Sequence, residues 1–281
     1  MAVTPDTFGL PETGLPLLRD LIHERTGMFY ANGRYDTLSD RLAPLVIERG
    51  FRSFLDLYYL LKYDERSSRA EWCRVFDALS VQETYFWREV DQIRGLALTV
   101  LPKLVRAAPY ETVRIWSVPC ATGEEPLTIA MMLEETGWFG RAAIEIHGSD
   151  ASPSAIAGAR AGRYRQRSFR SLPAALTEKY FSEEEGIHHP TKALRDRITS
   201  WSVVNLLDRA QIEAQAHSPV IFCRNAFIYF SRESVKRVAD GFADLMPTPG
   251  FLFLGASESL LNVTDRFLLD DLDRAFVYVK R

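Results

Sequence analysis

The sequence predicts an α/β protein, a doubly wound and mainly parallel sheet domain behind a small helical domain. Three observations predict it. Residues 113–133, VRIWSVPCATGEEPLTIAMML, read as a buried strand, a tight glycine turn and a helix. Strand-like and helical stretches then alternate to the C-terminus. Ahead of them, residues 10–80 show only helical spacing. At 281 residues, 47% hydrophobic and 25% charged, the chain can bury a substantial core and has an ordinary globular composition.

The helical domain is placed at residues 1–80. Leu17, Leu18, Leu21 and Ile22 form one apolar face, ending near Gly27. Leu38, Leu42, Leu45 and Val46 form a second, ending at Gly50. Phe54, Leu57, Tyr58 and Leu61 form a third, and Trp72, Val75, Phe76 and Leu79 a fourth. Arg34, Arg41, Arg49 and Arg52 lie in or beside the second helix. A solvated charged face is the plain reading of them, and docking of an acidic helix the functional one.

Residues 81–108 read as a linker helix. The segment SVQETYFWRE (80–89) leads into a helix through Ile93, Leu96, Leu101 and Leu104, interrupted by Gly95 and Pro102. Tyr85, Phe86 and Trp87 are consecutive, so on a helix they point in different directions. Arg88 follows. The plain reading is an aromatic clasp and a surface arginine; the functional one is an aromatic lid with an arginine fork for a ligand carboxylate.

Residues 109–281 form the sheet domain. In its first turn Glu124 and Glu125 occupy the positive end of a helix that a phosphate would need. Neither G-x-G-x-x-G nor G-x-x-x-x-G-K-[ST] is present. The turn therefore favours a ligand with a positive group, an amine or a sulfonium, over a dinucleotide or a nucleoside triphosphate. Two acids that merely complement the helix dipole are the plain alternative. A second strand, 143–149, ends at Asp150, where an acid can accept both hydroxyls of a ribose. SDASP (149–153) also reads as a helix cap.

Residues 182–200 look charged and loop-like. A strand-like run at 198–204 ends in Asn205-Leu206-Leu207. Pro219 to Cys223 is a short buried strand that delivers Arg224-Asn225 and then Ile228-Tyr229-Phe230. A helix at 232–246, a strand at 251–255 and a hairpin at 267–280 give the sheet an antiparallel finish. Asn225 and Tyr229 thus fall just past a strand's carboxyl end, where ligands bind in such sheets. A cap for Asn225 and a core position for Tyr229 are the plain readings.

The net charge of −3 gives no electrostatic reason to expect nucleic acid. MAVTPDTFGL lacks the basic-then-apolar order of a secretory signal, and the longest apolar runs are too short to span a bilayer. Cys73, Cys120 and Cys223 are scattered, which suits a reducing cytosol and argues against disulfides or zinc. His188 and His189 are adjacent, not i, i+4, so no metal site is expected.

On ATGEEP (121–126), SDAS (149–152), NLL (205–207) and FCRN (222–225) followed by Ile228-Tyr229-Phe230, the chain resembles the chemotaxis-receptor glutamate O-methyltransferases, the CheR-type family. ARAGRYR (159–165), GASES (255–259) and ETYFWRE (83–89) add to the likeness, which covers residues 15 to the end. The resemblance implies a class I S-adenosylmethionine-dependent methyltransferase sheet of Rossmann-like form, with a small β-subdomain inserted around 182–203. It implies a cytoplasmic enzyme that methylates glutamates on the helical coiled coil of a chemoreceptor. Glu125 would meet the cofactor's amino group and Asp150 its ribose. Thr84 and Arg88 would hold its methionine end, with Gln82 where the family has asparagine. Asn205, Leu206, Arg224 and Asn225 would line the adenosine and sulfonium side, and Gly123 would bind the cofactor at the turn. Arg88 and Tyr229 would flank the methyl group.

Further departures are Phe86-Trp87 in place of a double phenylalanine and a less basic second helix. The loop from Phe181 to His189 is short and lacks extra glycines, so no tether to a receptor's C-terminal pentapeptide is expected. Two other functions compete. A cofactor-binding regulatory module without transfer activity is opposed by the intact Arg88, Asp150 and Tyr229. A small-molecule carboxylate methyltransferase is opposed by the helical domain, which suits docking of a protein helix.

Overall fold

The structure is a computed structural model that describes residues 14–31 and 35–281. Arg34 and the N-terminal MAVTPDTFGL lie outside the described residues. The helical domain comprises α1 (Leu15–Thr26), α2 (Asp36–Glu48), α3 (Phe54–Tyr63) and α4 (Glu65–Leu79). Their apolar stripes meet in one core that includes Leu18, Ile22, Leu42, Phe54, Leu57 and Val75. Local chemistry sets the ends. Ser53 caps α3 by accepting from Asp56 N–H, and Asp64 caps α4 by accepting from Arg66 and Ser67. Gly27 ends α1 in the left-handed region at φ 78°.

Two of the four arginines have partners across the bundle, Arg41 half-buried and Arg49 exposed. Arg41 donates to the Leu79 carbonyl at 2.6 Å, and Arg49 pairs with the buried Glu71 at 3.0 Å. They staple α2 to α4. Arg52 is exposed.

The linker also departs from expectation. Tyr85, Phe86 and Trp87 lie ahead of the helix, where the backbone turns with Trp87 at φ 70° and Glu89 at φ 48°. That turn drives Phe86 into a cluster with Tyr164, Phe169 and Phe181, at ring-centroid distances of 4.9, 5.0 and 4.9 Å. The helix beyond is continuous: α5 (Val90–Gly95), a π turn (Leu96–Val100) and α6 (Leu101–Ala107). Gly95 does not break it. Its bare backbone accepts Leu272, whose Cδ1 would lie 2.8 Å from a Cβ there. The wide π turn comes just before Pro102, which has no N–H to place.

The sheet domain runs β1 (Val113–Ser117), α7 (Glu124–Glu135), β2 (Ile144–Asp150), α8 (Pro153–Ala161), β3 (Tyr164–Arg165), α9 (Ala174–Tyr180), β4 (Phe181–Glu184), β5 (Ile187–Pro190) and α10 (Lys192–Arg195). It continues with β6 (Ile198–Val203), α11 (Arg209–Ala216), β7 (Val220–Cys223), α12 (Arg232–Leu245), β8 (Phe251–Leu254), β9 (Phe267–Asp271) and β10 (Phe276–Lys280). The large sheet has the order β6-β2-β1-β7-β8-β10-β9. The first five strands are parallel, and β10 is antiparallel to both β8 and β9. Every residue of β7 and β8 is buried, as a sheet covered on both faces requires. β1 pairs with β2 on one side and β7 on the other, so the order reverses there and opens a crevice at the strand ends.

The small sheet, β3-β5-β4, corrects the insert expected around 182–203. It draws on residues 164–165, 181–184 and 187–190, and 198–203 is instead the edge strand of the large sheet. The charged stretch is a hairpin, not a loop. Glu185 and Gly186 both take positive φ, 51° and 75°, as a two-residue turn between twisted strands demands.

Candidate active site

A cleft of about 1070 Å³ opens at the carboxyl ends of β1, β2 and β7. Of the residues singled out in the sequence, Gln82, Thr84, Arg88, Glu125, Asp150, Asn205, Leu206, Arg224, Asn225 and Tyr229 all line it. Gly123 does not. It sits behind the turn at φ 96°, where a Cβ would lie 2.9 Å from Trp201 and 3.1 Å from Ala159. Its part is to let the chain turn there.

The end of β2 presents Asp150. Its Oδ2 accepts from Ala121 N–H and its Oδ1 from Ser152 N–H, each at 2.9 Å. Burial raises its carboxyl pKa against the opposing pull of these amides. The two acids of the α7 turn separate. Glu124 turns away, accepting from Thr122 and Ser168 hydroxyls at 2.7 and 3.0 Å. Glu125 faces the cleft, with Oε1 accepting from Ser117 at 2.7 Å and Oε2 3.1 Å from Arg224 Nη1. Burial raises the pKa of Glu125 too, and Arg224 opposes the shift.

Arg224, buried at the end of β7, is a bracket beneath the site. Besides Glu125 it reaches Glu89 at 3.3 Å and donates to the Arg88 carbonyl at 2.9 Å. Its Nε is buried without a partner. Above, Arg88 donates to the Glu83 carbonyl at 2.7 Å and lies 5.6 Å from the Tyr85 ring centroid. Gln82 reaches Ser154 at the start of α8, 3.4 Å away. Asn205 spends its side chain on the domain interface, donating to the Arg25 carbonyl at 2.8 Å and accepting from Leu207 N–H at 3.0 Å. Asn225 takes φ 59°, and Tyr229 stands at the mouth, 40% exposed. A short backbone bridge, Met28 to Phe230, ties that mouth to the helical domain, with Phe29 N–H donating to the Tyr229 carbonyl at 2.8 Å.

Sequence reasoning missed the helical domain's share of the wall: Thr26, Met28 and Phe76. Phe76 reads as a bundle-core position and Thr26 and Met28 as a helix end, and only the docking of the helical domain brings them here. It also missed Ser117, an inward position of β1 with no polar pattern around it.

No histidine or lysine is among the described residues lining the cleft. Burial pushes the Cys120 and Cys223 thiols well up, so neither is a nucleophile near neutrality. No three His, Cys, Asp or Glu side chains gather for a metal among the described residues, and no described helix is long and apolar enough to cross a membrane.

The buried carboxylates, the unpartnered Arg224 Nε and the guanidinium of Arg88, which also lies 3.9 Å from Glu89, suit a ligand that carries a cation, a hydroxyl pair and a carboxylate. Fold and site define a class I methyltransferase with S-adenosylmethionine as its cofactor. The chain belongs to the CheR methyltransferase family: the family's SAM binding domain matches residues 82–276 and its all-alpha domain residues 14–80. Chemotaxis protein methyltransferase 2 of Vibrio cholerae is 32% identical over 273 residues, covering 96% of this chain and 94% of the relative. The Escherichia coli chemotaxis protein methyltransferase is 29% identical, covering 94% and 90%. A probable biofilm formation methyltransferase, WspC of Pseudomonas putida, is 31% identical over 226 residues, covering 80% of this chain and 52% of that one.

Proposed function

We propose that this enzyme moves the methyl group of S-adenosylmethionine to glutamate side chains on the cytoplasmic helical coiled coil of a chemoreceptor, giving 5-O-methyl esters. The observation that carries the choice of acceptor is that the inner carboxylates of the cleft are already engaged, Asp150 by the Ala121 and Ser152 amides and Glu125 by Ser117 and Arg224, so neither is free to serve as a general base. A carboxylate needs none, because it is already ionised at neutral pH. An amine or hydroxyl acceptor would have to lose a proton.

Bound in the crevice, S-adenosylmethionine supplies a methyl group activated by the sulfonium charge. Asp150 holds the ribose hydroxyls and Glu125 the amino group. Thr84 and Arg88 take the carboxylate end, with Gln82 beside them. Asn205, Leu206 and Asn225 wall the adenosine and sulfonium side, and Arg224 keeps Glu125 and the Arg88 backbone in place. Arg88 and Tyr229 border the reacting methyl. An anion and a cation combine to give neutral groups, so a dry crevice does not oppose the reaction. Alignment is then the main contribution, worth roughly 7–11 kcal/mol in favourable cases.

Incubation with labelled cofactor and a receptor fragment tests this. Label released as methanol by mild alkali, and lost when receptor glutamates become alanine, is the expected result. Alkali-stable label would mean a different acceptor. The two-residue turn at Glu185-Gly186 leaves no long loop to clasp a peptide, which supports docking without a receptor-tail tether. Calorimetry with a receptor-tail pentapeptide should show no submicromolar binding.

A further inference from the structure

The GASES segment (255–259) lies outside every role given above, yet behind the cleft it carries a carboxylate with four backbone partners. Glu258 accepts four backbone N–H bonds. Its Oε2 takes Asn225 at 2.8 Å and Gly255 at 2.7 Å. Its Oε1 takes Phe227 at 2.6 Å and Ile228 at 3.2 Å. Three of these donors belong to the stretch between β7 and α12 that carries Asn225 and Tyr229. That stretch holds only one short helical turn, Phe227–Tyr229, whose first N–H groups have no partner within it.

We infer that Glu258 is a positioning residue for methyl transfer, its carboxylate setting the course of the 224–229 loop and so the place of Tyr229 at the mouth. An ionised carboxylate offers acceptor sites only, about four of them, which matches the four donors in number and kind. The neighbouring glycine belongs to the same device. A Cβ on Gly255 would lie 2.5 Å from Asn225 Nδ2 and 3.0 Å from Asn225 N, so only a bare backbone lets the two strand exits meet. The loop after β8 is itself pinned on two other sides. Ala256 N–H donates to Glu89 at 3.1 Å, and Gln92 donates to the Leu254 carbonyl at 2.6 Å. On the hairpin side Ser259 meets the Tyr278 hydroxyl at 3.1 Å. Glu258 therefore couples the loop bearing Tyr229 to the loop after β8, and Ala256 links that second loop to Glu89, next to Arg88. Its catalytic consequence rests on the proposed placing of those two residues beside the methyl group.

The test is Glu258→Gln, which turns one oxygen into an N–H donor facing N–H donors. Receptor methylation should fall in kcat on the order of 10²-fold, as a misplacement of about 1 Å produces. Affinity for S-adenosylhomocysteine should fall by less than kcat, by at most about tenfold through the displaced Asn225 wall, since Asp150 and Glu125 are untouched. Amide exchange at 225–228 should quicken. Glu258→Asp keeps the charge on a shorter arm; it should recover part of both readouts, and it serves if the glutamine variant does not fold. A variant with lowered melting temperature but unchanged kcat and unchanged exchange at 225–228 would overturn the inference. Wild-type enzyme that methylates no receptor while the exchange changes appear would overturn the receptor reading alone.

Discussion

Asp150 and Glu125 are carboxylates held where water cannot easily reach them, and their proton affinities follow from that. Both folded-state pKa values lie above those of the unfolded chain, with burial the leading cause. A carboxyl raised in this way favours the folded state below its unfolded pKa, and that contribution is lost as pH rises through the folded value. On the proposed placing of the cofactor, ligand binding runs the other way, because the ionised forms would hold the amino group and ribose. Affinity for S-adenosylhomocysteine should therefore fall on acidification, starting at a higher pH than ordinary Asp or Glu would set; calorimetry across the acid range checks it. Asp150→Ala should weaken that affinity by about 1–3 kcal/mol, roughly 5–150-fold, because Ala121 and Ser152 N–H also lose their acceptor. Asp150→Asn keeps an oxygen for one of them and should lose less.

At the scale of the element, the turn between β1 and α7 was the most legible part of the chain. Glycine at position 123, an apolar run before it and helical spacing after it have one common solution, a strand–turn–helix unit. Gly123→Ala should cost about 1–3 kcal/mol of stability, since φ 96° is strained for any side chain and Trp201 leaves no room; denaturant melts measure this. The same logic made the β7 exit readable, because four buried residues followed by Arg-Asn mark a strand end. The linker and small sheet were harder for a physical reason. Three adjacent aromatics carry no period, so nothing local says that Trp87 and Glu89 adopt left-handed backbone. In the small sheet, Phe181, His188 and Pro190 are buried but stand among glutamates that hide the alternation. The partners of Arg41 and Arg49 were not legible because a charged residue on a helix shows its spacing and not its partner.

For the whole molecule, the cleft is a joint product of two domains. Asp77 of α4 accepts from the Ser152 hydroxyl at 2.5 Å and from Ser154 N–H at 3.0 Å, which fastens the bundle to the first turn of α8. Asp77→Ala should lower both melting temperature and cofactor affinity, the latter by several-fold, as seen in paired calorimetric and thermal titrations. S-adenosylhomocysteine at a hundred times its Kd should stabilise the chain by about 2.7 kcal/mol. Helical signals from residues 15–79 should shift together with those of the sheet domain, because Thr26, Met28 and Phe76 stand on the same wall.

That shared wall limits how such a protein can be recombined. The bundle looks like a detachable specificity cassette, ready to be exchanged with a relative's to retarget the enzyme. Yet Thr26, Met28 and Phe76 line the cleft, Asp77 fastens the bundle beside it, and the Met28–Phe230 bridge frames its mouth. A graft cut at the domain boundary would carry off part of the cleft wall with the bundle. A workable chimera would move the outward faces of α1 to α4 and leave these inward residues behind, and lineages that swapped whole bundles would have had to re-evolve the seam.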